Sequence, residues 1–468
     1  MEDQFMRTGA YLLVLVALVA FALLLFFGVK PSGLNRSSYS LSEDKPLSFN
    51  PDIVIPYDYP TIQEGIDHAA EGDCILVRAG TYVENIVVDK PNLIIKGENR
   101  FTTIVDGGKK TDAIAVSAPN ITIEGFTVTN GWNENEYLWD VSGVKILSSN
   151  VTVKGNIIKS NRLGVTVVTS AYNLTIVDNT FIGDGILLGN YEYTYTLSKK
   201  DFLHIVMNNT VNGKPLYYYK NQCDFLVPND AGQIILANCT NATIKDVHLT
   251  RTDFPIILGY CFNCIIENST VTETDGEIIL FHSENNIIQW NNVSHGLHGI
   301  CLDFESRNNI IRYNKASDNW VGISVMTYST GNRVYGNTVQ GNSAGIMIFN
   351  HSCNNIVSEN KVFNNNIGIQ LQLSSTSNLI EKNSVSKSRI GLQIKGFSDR
   401  NTIKYNVFVR NFPVDALFSD SSANSWSRNY WSRPRILPKV IFGYRILKTI
   451  PVPWVNVDYH PLLRQGAA

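Results

Sequence analysis

Two pairs of titratable residues stand 23 positions apart: Asp275 with His298, and His282 with Glu305. Asp303 lies two residues before Glu305, and Tyr328 follows Glu305 by the same 23-residue step. If 23 residues make one turn of a stacked chain, these groups meet on one outer strand. Paired carboxylate and imidazole groups there can do general acid–base work on a sugar. The same residues can equally form solvated ladder pairs on a polar face. Tyr217, Tyr218 and Tyr219 offer rings that either stack on sugars or pack a segment against its neighbours. Asp275, His282, His298, Asp303 and Glu305 are therefore the catalytic candidates, and Tyr328 with Tyr217, Tyr218 and Tyr219 the substrate-binding ones.

The elements that would position these residues are written as a repeat. Asn263, Asn286, Asn309, Asn332, Asn355, Asn378, Asn401 and Asn424 follow one another at steps of 23. A second Asn comes five residues after each, a Gly 13 after most and a Ser 20 after most. Apolar columns run alongside, such as Ile265, Ile288, Ile311 and Val334, or Ile279, Leu302, Val325 and Ile348. β-Branched residues in short alternating segments, broken by Asn and Gly, read as strands. A strand-built repeat of this length is one coil of a parallel β-helix, right-handed by the general rule for parallel crossovers. The Asn columns should bond from coil to coil and adopt left-handed bends, with Gly at another permissive corner.

Four regions follow. Residues 1–30 hold an uncharged apolar run, Ala10 to Val29, long enough to span roughly 30 Å of hydrocarbon as a helix. It ends in Phe26-Phe27-Gly28-Val29-Lys30 without the small-residue cut site of a signal peptide, so a retained transmembrane helix is expected, with the body outside. Residues 31–56 form a polar linker. Residues 57–432 should form about 13 coils. They open on a short helix with Thr61 and Glu64 as a capping box, and an insertion interrupts them at about 190–233. Residues 433–468 should cap the last coil. Leu437, Val440, Ile441, Phe442 and Trp454 need burial there, and Trp426 and Trp431 should plug the stack.

Composition excludes several partners. A net charge of −2 gives no electrostatic reason to expect nucleic acid. Seven scattered cysteines are no disulfide framework, and the single pair Cys261-x-x-Cys264 lacks the second pair of a zinc site. Five Met and eight His, unclustered, predict no copper and no other cofactor. Ten N-x-S/T sequons, from Asn35 to Asn350, fit an exported chain, although an Asn- and Thr-rich repeat also generates them by itself.

These coils resemble the NosD-type, or CASH-domain, branch of the pectin-lyase fold, and the cell-surface archaeal members most. The resemblance rests on the 23-residue Asn/Gly coils and on Tyr59-Pro-Thr-Ile-Gln-Glu-Gly-Ile-Asp67 with Ala79-Gly-Thr-Tyr-Val-Glu84. Val211-Asn-Gly-Lys-Pro-Leu-Tyr-Tyr218, Asn429-Tyr-Trp431 and Asp458-Tyr-His-Pro461 complete it. It implies the fold and carries a label of periplasmic copper handling. The tail departs from the family: Arg433, Arg435, Lys439, Arg445 and Lys448 stand where many members place an acidic loop, so no calcium site is expected. The catalytic motifs of polygalacturonases, pectin methylesterases and alginate epimerases are not found. The expectation is a membrane-anchored, extracellular, non-catalytic protein that binds polysaccharide or builds the envelope. The alternative is a polysaccharide lyase or sugar epimerase, which would need the five candidates to converge in a groove.

Overall fold

The computed structural model describes residues 50–463 apart from 134–139, 191–196, 275, 277, 434–436 and 448–449. The apolar run 10–29, Asp275, Glu277, Tyr191, Tyr193 and Tyr195 lie outside the described residues. Among the described residues no helix is long and apolar enough to cross a membrane. The body is an all-β, right-handed parallel β-helix of about 16 turns, against the 13 expected.

The helix at Ile62–His68 forms as the sequence predicts, but its cap is shared. Thr61 Oγ1 accepts the Glu64 N–H at 3.2 Å, while Glu84, just past the strand Gly80–Val83, accepts those of Ile62 and Gln63 at 3.1 and 3.0 Å. Three-strand coils then stack upward to Ile205–Met207 and Thr210–Val211.

The segment expected as an insertion is the pivot of the fold. Ile205–Met207 and Thr210–Val211 continue the coils in parallel register on Thr175–Val177 and Thr180–Ile182. At Asn212-Gly213, both with positive φ, the chain turns back. Lys214–Lys220 pairs antiparallel with Thr210–Val211, and Gln233–Ala237 then pairs parallel with Lys214–Lys220. Strand direction therefore reverses, and so does the buried face. Val211, Leu216 and Ile235 belong to the first core, while Ile234 and Leu236 belong to the second. Reversing direction and face together keeps the hand of the coil. The result is two stacks sharing one wall.

The second stack holds the regular repeat, and its register corrects the sequence reading at both ends. The ladder begins at Asn286: Cys264 and Cys261 stand one coil below Asn286 and Ser283, a step of 22. Accordingly Ile266, Val271 and Leu280 point inward, not Ile265, Thr270 and Ile279. At the far end a step of 24 puts Phe418 rather than Leu417 above Ile394. Between these, Ile288, Ile311 and Val334 are fully buried, as expected.

Each ladder Asn is used twice. Asn309 Oδ1 accepts the Asn286 N–H at 2.9 Å, and Asn309 Nδ2 donates to the Ser283 carbonyl at 2.8 Å. The coil-to-coil bonding was expected, but the left-handed bends fall on the preceding residues, such as Asn285 and Asn308. The Gly column serves close approach instead of a bend. A Cβ at Gly299 or Gly322 would stand 2.6 or 2.7 Å from the next coil's carbonyl oxygen.

The C-terminal segment forms a hairpin, Lys439–Leu447 with Ile450–Asp458, whose first strand pairs with Val414–Ser419 and whose second pairs with Ser425–Ser427 on the next face of the coil. Asp458 Oδ2 ends the ladder by accepting from Asn429 Nδ2 and Trp431 Nε1, each at 3.0 Å. Trp426 and Trp431 are buried as the plug. Ile441 is buried too, whereas Leu437, Phe442, Ile446, Trp454 and Val455 are exposed, so most of the hairpin's apolar surface is not taken into the core.

Candidate functional site

The shared wall is the origin of the site. Its strands include Ile256–Gly259, Ile278–Phe281, His298–Asp303, Val321–Val325, Ala344–Phe349, Ile367–Gln372 and Ile390–Lys395, in parallel register. Alternate residues point away from the second core. One outward column reads Ile235, Ile257, Ile279, Cys301, Ser324, Met347, Gln370, Gln393. Its neighbour reads Phe281, Asp303, Met326, Phe349, Gln372, Lys395.

The early part of both columns is covered. Ile235, Ile257, Ile279 and Phe281 belong to the first stack's core. Polar clasps fix the contact: Asp253 Oδ2 accepts the N–H groups of Gly164 and Gly185 at 2.7 and 2.8 Å. Gln233 exchanges two bonds with the Ile186 backbone.

Where the cover ends, a cavity of about 200 Å³ opens between the stacks. Arg162, Leu163, Leu187, Gly189 and Asn190 line one side, and Ile279, Phe281, His298, Cys301, Asp303 and Met326 the other. A second depression is lined by Trp320, Val321, Met347, Gln370, Gln372 and Lys395. Between the two, the His298 ring stacks on Trp320 with centroids 5.8 Å apart and Met326 packs on the Val321–Ala344–Met347 cluster.

His298 and Asp303 are thus brought to one cavity, at opposite ends of one strand. Five steps of about 3.3 Å put their Cα atoms roughly 16 Å apart, too far for direct proton exchange. Burial lowers the His298 ring to about 4, so it is neutral at pH 7, and its Nδ1 lies 3.3 Å from Ser324 Oγ. Burial pushes the Asp303 carboxyl up to about 6, against the pull of the Thr327 hydroxyl and the Phe304 N–H.

The other candidates go elsewhere. His282 stands under Phe304, not Glu305, because this coil is one residue short. Its ring stacks on Tyr260 at 4.7 Å, and burial lowers its pKa against the pull of Glu305, with Arg307 lowering it further. Glu305 is exposed and ion-paired with Arg307. Tyr328 is exposed and stacks on His351 at 5.0 Å. Tyr217 and Tyr219 pack on the second core and Tyr218 on the first, where its hydroxyl donates to the Phe202 carbonyl at 2.7 Å. These three rings pack the pivot strand rather than form a free stacking patch. Sequence reasoning missed Arg162, Trp320, Met326, Gln370, Gln372, Gln393 and Lys395. The signal existed, since both outward columns keep the 23-residue step from Cys301 and Asp303 onward.

Comparison with known proteins fits this division. A family model described as periplasmic copper-binding protein (NosD) matches residues 207–348 and 238–436, the span of the second stack. The second stack fits the NosD-like β-helix family. A cell surface glycoprotein of Methanothermus fervidus is 33% identical over 95 residues, which cover 20% of this chain and only 16% of that protein. The A-module of mannuronan C-5 epimerase AlgE6 from Azotobacter vinelandii has a TM-score of 0.38 at 13% identity, over 79% of this chain and 87% of that one. The DFA-IIIase of Arthrobacter chlorophenolicus A6 without its lid also scores 0.38 at 13%, over 81% and 91%. As for the copper in the family's description, no three His, Cys, Asp or Glu side chains converge to hold a metal ion among the described residues.

Proposed function

We propose that this is an extracytoplasmic β-helix protein that holds a linear polysaccharide in the groove of its second stack without turning it over. The observation that carries the reading is the change along the outward columns, from Ile257, Ile279 and Phe281 to Gln370, Gln372, Gln393 and Lys395. Amide and ammonium groups in a row beside Trp320 suit hydroxyl-rich rings, which need both hydrogen bonds and an apolar face. The separation of His298 from Asp303 argues against a shared acid–base step. In this reading residues 10–29 anchor the body to the outer face of a membrane. The likeness to a cell surface glycoprotein supports that placement, as does the exposure of Asn120, Asn150, Asn173, Asn208, Asn241, Asn268 and Asn292. The test exposes the full-length chain to immobilised neutral and acidic polysaccharides, scoring both retention and release of product. Retention that Gln370→Ala with Gln393→Ala weakens tenfold or more supports the reading. Turnover that His298→Ala abolishes overturns it in favour of the lyase or epimerase alternative. Protease treatment of intact cells should remove the body while sparing the anchor. Recovery of a chain beginning after Gly28 would sink the anchor.

A further inference from the structure

The two faces of the C-terminal hairpin differ in character. Ile441 and Gly443 turn toward the coil: Ile441 is buried, and a Cβ at Gly443 would stand 2.2 Å from the Phe418 carbonyl oxygen. The alternate residues Val440, Phe442, Tyr444 and Ile446 point the other way and are between 38% and 72% exposed. Across the hairpin Phe442 and Tyr444 face Val455 and Pro453, which are exposed too. Among the described residues of this face none is charged. Pro451 and Pro453 leave the outer edge of the second strand short of N–H donors, so another strand cannot extend the hairpin there. A partner meets the face and not the edge.

Cations border that face. Lys439 precedes Val440, and Arg445 stands between Tyr444 and Ile446 with its guanidinium 4.3 Å from the Trp454 ring, itself 45% exposed. Residues 433–457 hold five basic residues and no acid. Asp415, Asp420 and Asp458 approach from beside them, and each is occupied. Asp415 accepts the Ser432 hydroxyl at 2.9 Å, Asp420 the Ile446 N–H, and Asp458 the end of the Asn ladder. Positive charge is therefore in excess around an apolar patch. A second copy laid face to face would bring like charges together. A bilayer with anionic lipid offers hydrocarbon to the face and headgroups to its rim, and Tyr444 and Trp454 are of the types that settle at that boundary. We infer that the C-terminal hairpin is a lipid-docking element, which seats its outward face in the headgroup layer of an anionic bilayer. The surface is separate from the groove, and its test involves no glycan.

The experiment holds the full-length chain in nanodiscs of neutral lipid, which shelter the apolar run 10–29. The discs are floated with vesicles of phosphatidylcholine alone, or with vesicles in which a third of the lipid is phosphatidylglycerol. The protein should float with the anionic vesicles at least tenfold more than with the neutral ones, and empty discs with neither. Phe442→Ser with Ile446→Ser should abolish flotation, and both side chains are exposed enough for the melting curve to match the parent. If it does not match, Lys439→Gln with Arg445→Gln decides, with flotation falling at least tenfold. Brominated acyl chains in the anionic vesicles should quench tryptophan fluorescence, and Trp454→Phe should lose that quenching. Equal flotation with both vesicles, or unchanged flotation of a folded variant, would overturn the inference. So would discs that pair with one another without vesicles, since the occupant would then be a second copy. Flotation without quenching would mean that charge alone makes the contact, and would overturn it as well.

Discussion

The outer face of the shared wall behaves as two surfaces. Near the pivot Ile234-Ile235-Leu236, Ile256-Ile257-Leu258 and Ile278-Ile279-Leu280 are buried on both faces, between two cores. Three and four coils beyond the Ile278 strand, Ile346, Ile348, Ile369 and Leu371 still face the second core. The outward Met347 and Gln370, buried at 5% and 6% exposure, belong to neither large core: Met347 packs in a small cluster with Val321 and Ala344, and Gln370 bonds to Gln393. The same sheet, with the same strand spacing, is a structural partition in one half and a floor in the other. Only the outward residue of each strand changes, from Ile and Phe to Gln and Lys.

The sharpest way to break the comparison is to truncate one outward residue in each half. Phe281→Ala should destabilise by about 3–5 kcal/mol in denaturant titrations, because it empties a space closed on both sides. A loss under about 1 kcal/mol would show that the stacks do not share a core. Between the halves runs the ladder, which supports the coils that have no second layer. Asn332→Ala removes the acceptor of Asn309 N–H and Nδ2. It should cost about 2–3 kcal/mol, measured the same way.

At the boundary, pH separates the contributions. The Asp303 carboxyl titrates near 6 folded against 3.8 in the free chain, so it loses stability for the fold as pH rises from about 4 to 6. The His298 ring titrates near 4 against 6.5, so it adds stability as pH rises from about 4 to 6.5. The slopes oppose, and the parent should be nearly flat across that window. Asp303→Asn should be more stable than the parent at pH 7 by about 2 kcal/mol and should gain stability steadily from pH 4 to 6.5. A variant as flat as the parent would mean that Asp303 is solvated in the cleft. The smallest effect is expected at the half-buried Lys395. Lys395→Ala should change stability by no more than about 0.5 kcal/mol, with its consequence confined to glycan retention.

Much of this was legible in the residues. The 23-residue step, the strands, the inward columns and the Trp426–Trp431 plug follow from period and residue type. The register failed where the repeat changes its letters. Cys261 and Cys264 occupy the Ser and Asn positions of the ladder, and a tally of Asn passes over them to Asn263. The reversal was half visible, because Asn212-Gly213 announces a turn, but a strand's residues carry no sign of its direction. The second stack's burial on both faces was also written in the chain. Consecutive apolar triplets near the pivot give way to alternation further on, the usual mark of a sheet covered on two sides and then on one. The candidate site suffered most, since His282 and Glu305 were placed by a step of 23 where the coil takes 22.

A solenoid ordinarily unfolds like a zipper, each repeat answering only to the one beside it. The turn at Asn212-Gly213 breaks that independence by making residues such as Gly164 and Asp253, far apart along the chain, lean on one another. The coils around the pivot should therefore melt as a single block, while those beyond Val321 fray one at a time from the C-terminal end. Hydrogen exchange would show this as a plateau of equal protection followed by a gradient. The floor of the groove lies on the gradient, so a chain settling there would tighten the part of the molecule that opens first.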